Sequence, residues 1–146
     1  MTRQESAAAD LERASERWLT WLATETTRRR QDPSRSALSA LWDVLEEWFA
    51  SDDFAASPLA AAVAAPPDGR SPAVHAALAE HRQAARRLLE DLARTSNAQD
   101  PTALADRLLI LVEGAITGAL IDRHAAVARH GRELTRIALS TAATRG

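Results

Sequence analysis

Apolar side chains recur along the chain at steps of three and four residues, the spacing that lines one face of an α-helix. In the first such run Leu11, Ala14, Trp18, Trp21, Leu22 and Glu25 share a stripe, with charge on the far side. The second run carries Leu38, Leu41, Trp42, Leu45, Trp48 and Phe49 and leaves Asp43, Glu46 and Glu47 to other sides. A later one combines Val74, Leu78, His81, Ala85, Leu88, Leu89 and Leu92, with Arg82, Arg86, Arg87 and Glu90 towards its flanks. No segment sustains the period-two alternation of a half-buried strand.

Four dipeptides punctuate these runs: Asp32-Pro33, Ser57-Pro58, Ser71-Pro72 and Asp100-Pro101. Each pairs a side chain that accepts a bond from a free backbone N–H with a proline suited to the first helical position. Together with amphipathic runs near Glu5 and after Arg123, they predict six helices over about 5–31, 33–51, 58–65, 72–96, 101–121 and 124–143. The third is short and ends at the turn Pro66-Pro67-Asp68-Gly69. The expected fold is an all-α antiparallel bundle of about six helices, forming one domain over residues 1–146.

The run from Leu108 to Ile121 differs, because apolar or small residues surround the whole helical wheel. Such a helix must be covered on all sides. It is too short for the roughly 20 residues that span a bilayer, and Glu113 sits in its middle. The last helix is rich in small residues, and one bundle covers its neighbour on one side only. A second copy of the chain is therefore expected on the other side. The expected dimer interface is Leu109, Val112, Ile116 and Leu120 with Val127, Gly131, Leu134 and Ala138. Gly114-x-x-x-Gly118 reads as a close helix contact rather than a membrane dimer motif.

Length and composition narrow the choice further. The 146 residues suit a single core, and 46% hydrophobic with 26% charged side chains is the make-up of a folded globular chain. Alanine occurs 33 times, and all 18 basic side chains are arginine, which favours helix. A net charge of −2 speaks against direct DNA contact. Without cysteine there is no disulfide, no thiolate metal site and no thiol nucleophile. The first residues lack the apolar core of a signal peptide, so a cytoplasmic protein without membrane association is expected.

No nucleophile with its base, carboxylate pair, phosphate loop or dinucleotide fingerprint is visible, so neither catalysis nor a cofactor is expected. The four histidines, His75, His81, His124 and His130, lack the spacing of a metal site. Three features leave two roles open. His81, on an apolar face, is a core histidine bonded to a neighbour or a polar contact in a cavity. Glu113 and Thr117 lie one turn apart on an apolar helix and meet a partner across an interface or face a cavity. The aromatics Trp18, Trp21, Trp42, Trp48, Phe49 and Phe54, all within the first 54 residues, form a core or the wall of a pocket. Arg28-Arg29-Arg30 fits the end of a helix, where cations complement the exposed carbonyls.

The run Leu41-Trp42-Asp43-Val44-Leu45-Glu46-Glu47-Trp48-Phe49-Ala50-Ser51-Asp52-Asp53-Phe54 resembles the C-terminal regulatory domain of TetR-family transcriptional repressors, in particular the multidrug-repressor-like branch. Ala79-Glu80-His81-Arg82, the Asp100-Pro101 helix start and Leu109-Ile110-Leu111-Val112-Glu113-Gly114-Ala115 resemble later parts of the same domain in the same order, so the likeness extends over about residues 10–141. It implies a ligand-sensing domain whose last two long helices form a four-helix dimer interface. A small lipophilic molecule would sit among Trp18, Trp21, Leu22, Trp42, Phe49, Phe54, His81, Leu88, Leu108 and Glu113. The aromatics would supply apolar contact and His81 and Glu113 orientation, and Trp42→Ala is expected to impair binding more than Trp48→Ala.

The helix-turn-helix that precedes this domain in the family has no room before Leu11, so a sensor without its own DNA-reading module is expected. Relatives carry Gly-Cys-Pro where this chain has Ala56-Ser57-Pro58, which keeps the helix start but removes a thiol. The alternative is a partner that pairs with a full-length TetR-type regulator and needs no ligand.

Overall fold

Thr2 opens the first helix of the computed structural model with a reciprocal cap. Its Oγ1 accepts from the Glu5 N–H at 3.0 Å, and the Glu5 carboxylate accepts from the Thr2 N–H at 2.9 Å. The structure describes residues 1–32 and 34–143, without the side chains of 142 and 143. The described residues form α1 (Arg3–Arg29), α2 (Ala37–Phe49), α3 (Asp52–Ala55), α4 (Pro58–Ala64), α5 (Pro72–Thr95), α6 (Pro101–Asp122) and α7 (Val127–Ala143), with no strand among them. None of these helices is long and apolar enough to cross a membrane.

Three of the four expected helix starts stand. Ser57, Ser71 and Asp100 each accept a bond from a backbone N–H three residues on, and proline follows. The Asp32-Pro33 start does not. Asp32 Oδ1 accepts from the N–H and hydroxyl of Ser34, whereas Ser36 caps α2 by accepting from the Ser39 N–H. Pro33 lies outside the described residues. The seventh helix is α3, a single turn capped by Ser51 through the Phe54 N–H. Arg70 closes the other end of α4 by donating to the carbonyls of Ala62 and Ala65. Helix α6 ends at Arg123, whose φ of 52° lies in the left-handed region, and α7 starts three residues later than the sequence suggested.

Residue pairings fix the directions in which the helices run. Arg82 reaches Glu113 and Arg86 reaches Asp106, so α5 and α6 are antiparallel. Trp42 meets Thr135 while Glu46 meets Arg129, so α2 and α7 are antiparallel as well. The pair α1 and α5 departs from the expected pattern and runs parallel. Ala8 and Leu11 cluster with Ala77 and Leu78, Ser15 meets His81, and Leu22 lies near Ala85 and Leu89. The intervening α2, α3 and α4 supply the long crossover that a parallel return requires.

Trp42 joins α2 to α7. It is 0% exposed, its indole N–H donates to Thr135 Oγ1 at 2.8 Å, and the Thr135 hydroxyl donates in turn to the Gly131 carbonyl. Gly131 leaves the space that the ring fills: a Cβ there would overlap three atoms of the indole. Arginines from α7 flank the ring, with Arg132 paired to Asp43 and Arg129 to Glu46.

These contacts correct the expected interface. Leu109, Val112 and Ile116 are buried in the chain's own core, Leu120, Val127 and Ala138 pack against that core, and Gly131 is covered by Trp42. Of the eight residues only Leu134 is exposed. The outward apolar face consists instead of Ile110 (68% exposed) and Ile121 (75%) on α6 with Leu134 and Ile137 on α7. Gly114 lies between the two α6 isoleucines with open space before it.

Gly131→Ala is expected to lower the unfolding free energy by about 1–3 kcal/mol, because a buried ring must move to admit the methyl group. Gly114→Ala, which meets nothing within the chain, should gain up to about 1 kcal/mol in helix propensity. Urea unfolding followed by far-UV circular dichroism measures both, and an undiminished stability for Gly131→Ala would contradict the account.

Candidate functional site

Helices α1, α5 and α6 meet around a small, narrow cavity, with Val63 of α4 on one side. Parallel packing brings Trp18 and Leu22 of α1 beside His81 and Leu88 of α5, and α6 adds Val112, Glu113 and Ile116. Five of the ten expected pocket residues thus converge: Trp18, Leu22, His81, Leu88 and Glu113. The cavity has a volume of only about 20 Å³, enough for about one water and far below that of a drug-sized site.

One end of the cavity is polar. His81 is buried, shares a 2.6 Å hydrogen bond with Ser15 through Nδ1, and lies 5.7 Å from the Trp18 ring. Burial pushes the His81 imidazole below its ordinary pKa, opposed by the nearby Glu113 charge and reinforced by that of Arg82. Glu113, half-buried, meets its partner within the same chain. Arg82 donates to both carboxylate oxygens from Nε (3.1 and 2.9 Å) and to Oε1 from Nη2 (2.8 Å). This hydrogen bonding raises the Arg82 pKa above its ordinary value. Glu113 thus borders the cavity and has its charge paired within the chain.

The remaining expected pocket residues lie elsewhere. Trp42 is locked between α2 and α7, and Leu108 is fully buried in the core; neither borders the cavity. Phe49 and Phe54 meet at 5.0 Å and contact Trp48 at 5.7 and 4.8 Å in tilted and edge-on arrangements, forming an aromatic cluster between α2 and α3. Trp21 is 38% exposed and faces an open groove on the outside of the same helices.

That groove has a volume of about 590 Å³ and runs between α1, α2 and the α3–α4 turn. Trp18, Trp21 and Trp48 line it, with Arg17, Glu47 and Asp53 among its polar groups. The Trp48 ring lies 5.3 Å from Trp18 and 6.4 Å from Trp21. Arg17 and Asp53 were not singled out in the sequence, and Trp48 was named among the aromatics of a core or pocket wall but not among the ten expected pocket residues. The available signal was the edge position of Trp48 on its stripe, which puts it beside α1 rather than in the centre of the core. Trp48, and not Trp42, borders open space.

The Arg28-Arg29-Arg30 triplet is engaged in part: Arg28 pairs with Glu25, and Arg29 reaches across to Glu47 on α2. Among the described residues no group of three or more acidic or histidine side chains is placed to hold a metal ion.

His81 gives a pH signature. With its folded pKa depressed, the unfolded chain binds a proton near pH 6.5 while the folded chain still excludes it. The His81 contribution to stability is therefore complete above about pH 6.5 and declines as the pH falls from there towards the folded value. Urea midpoints measured between about pH 7 and 5 should fall more steeply for wild type than for His81→Gln, and parallel curves would contradict the assignment. In comparisons with known protein families, curated proteins and solved structures, the chain matches none of them.

Proposed function

We propose that the chain is a regulatory domain of TetR type, which binds a small hydrophobic molecule and pairs with a second copy through α6 and α7. The observation that carries this reading is the two-sidedness of α6. One side borders the cavity with Val112, Glu113 and Ile116, and the other exposes Ile110, Gly114 and Ile121. A displacement of the cavity-side residues when a ligand binds nearby would change the surface on the other side. Exposed apolar groups that continue onto α7 at Leu134 and Ile137 favour a helical partner, and Gly114 allows close approach of its backbone. Arg and Glu side chains elsewhere on α7 are paired within the chain, which leaves the apolar strip as the surface that gains most from being covered.

Sedimentation velocity at micromolar concentration should show a species of twice the chain mass. Ile121→Arg is expected to weaken pairing at least tenfold, about 1.4 kcal/mol, while circular dichroism stays unchanged. A wild-type monomer, or an Ile121→Arg dimer of unchanged strength, would remove the interface. Titration of tryptophan fluorescence with a panel of lipophilic compounds tests the sensing half, for which a saturable change is expected.

The small size of the cavity favours a second reading, that of a ligand-independent partner of a full-length TetR-type regulator. Dimerisation with no fluorescence response across the panel would select it.

A further inference from the structure

The space in which a ligand fits is not the narrow cavity. At about 20 Å³ the interior holds no lipophilic molecule, whereas the outer groove, at about 590 Å³, lies within the range of small-molecule sites. Trp18 is the one residue that borders both. Its indole N–H is shielded from solvent yet donates to nothing. A buried donor without an acceptor is costly, and most such groups in folded chains are paired. In contrast, the Trp42 indole N–H has Thr135, so the unpaired donor belongs to the aromatic ring that faces open space.

We propose that this groove takes an uncharged, planar aromatic molecule bearing a hydrogen-bond acceptor, and that the acceptor bonds the Trp18 indole N–H. This deepens the ligand-sensing reading above and rests on it. The walls select flatness: Trp18, Trp21 and Trp48 offer indole rings at mutual distances of 5.3 and 6.4 Å from Trp48, suited to offset or edge contacts with a further ring. The charges select neutrality. Glu47 is already paired with Arg29, which leaves Arg17 and Asp53, one of each sign, and no net field for an ion. The indole N–H selects an acceptor such as a ketone oxygen, since it cannot accept a bond itself. Because the N–H is shielded in the structure, binding requires the Trp18 ring to turn towards the groove. The same ring contacts His81 at 5.7 Å, so the movement is felt at the polar end of the cavity next to Arg82 and Glu113.

The test uses the full chain with three probes of matched shape: methyl naphthyl ketone, isopropenyl naphthalene, in which a methylene replaces the oxygen, and naphthoate, which adds a charge. Heteronuclear NMR follows the four tryptophan indole N–H signals, and Trp18→Phe identifies the Trp18 signal by its loss. The ketone is expected to bind saturably and to move the Trp18 signal downfield. Isopropenyl naphthalene should bind about three- to tenfold more weakly without that shift, and naphthoate more weakly than the ketone. Trp18→Phe should abolish the preference for the ketone. If that variant does not fold, sequential assignment of the wild-type spectrum identifies the Trp18 signal, and the contrast between ketone and alkene there decides alone.

Equal affinity for ketone and alkene with an unmoved Trp18 signal overturns the proposal while leaving a ligand sensor in place. Tighter binding of naphthoate than of the ketone overturns it too, as does the absence of binding by all three probes. The sensor reading itself falls only if the wider lipophilic panel also fails.

Discussion

Helix α6 cannot be left in water. Its apolar side chains extend around most of its circumference, and the rest of the molecule is arranged to cover them. Helix α5 lies along one side and is held in register by arginines that reach Glu113, Asp106 and the Thr102 carbonyl. Helix α4 covers a second side, and α7 folds back to cover a third after the left-handed turn at Arg123. What remains uncovered is the strip containing Ile110, Gly114 and Ile121. The small cavity bordered by Val112, Glu113 and Ile116 and this strip are thus on different sides of a single densely packed element, and movement on one side cannot be absorbed by soft material before it reaches the other.

The polar framework follows from a chain whose basic residues are all arginine. The guanidinium fork holds both oxygens of Glu113 and lets Arg86 serve Asp106, Glu90 and a backbone carbonyl together. Asp43 on α2 accepts from Arg35 in the preceding loop and from Arg132 on α7. Most of these pairs are at least partly exposed, where each contributes about 0–1 kcal/mol. Their role is to align helices whose stability comes from the apolar core.

Local chemistry was legible in the sequence, and long-range partnership was not. Ser57, Ser71 and Asp100 act on N–H groups three residues away, so their effect can be read from their neighbours. Asp32 carried the same signal but lost the helix start to Ser36, because both are competent caps and the choice depends on where α2 packs. The single turn of α3 lacks the length for a periodic pattern, although Ser51 before two aspartates was a usable sign. Periodicity gave the stripe on α2 but not what would cover each of its residues. Trp42 found Gly131 and Thr135, about ninety positions along the chain, and so joined the core instead of a pocket. On α6 every side was apolar, so hydrophobicity could not distinguish Leu109 and Val112, which face the core, from Ile110 and Ile121, which do not. Trp18, Leu22, His81 and Leu88 were recoverable because each lies on a well-defined face of a long helix, and Glu113 because it is a charge in the middle of an apolar run.

The tryptophans also divide the molecule optically. Trp42 is sealed against α7, whereas Trp18, Trp21 and Trp48 cluster by the groove, and Trp21 meets solvent. Emission from the sealed indole reports detachment of α7, and emission from the cluster reports events where α2 meets α1. A chain that keeps only Trp42, or only the other three, would separate loosening of the helical hairpin from changes at the groove in a single spectroscopic channel.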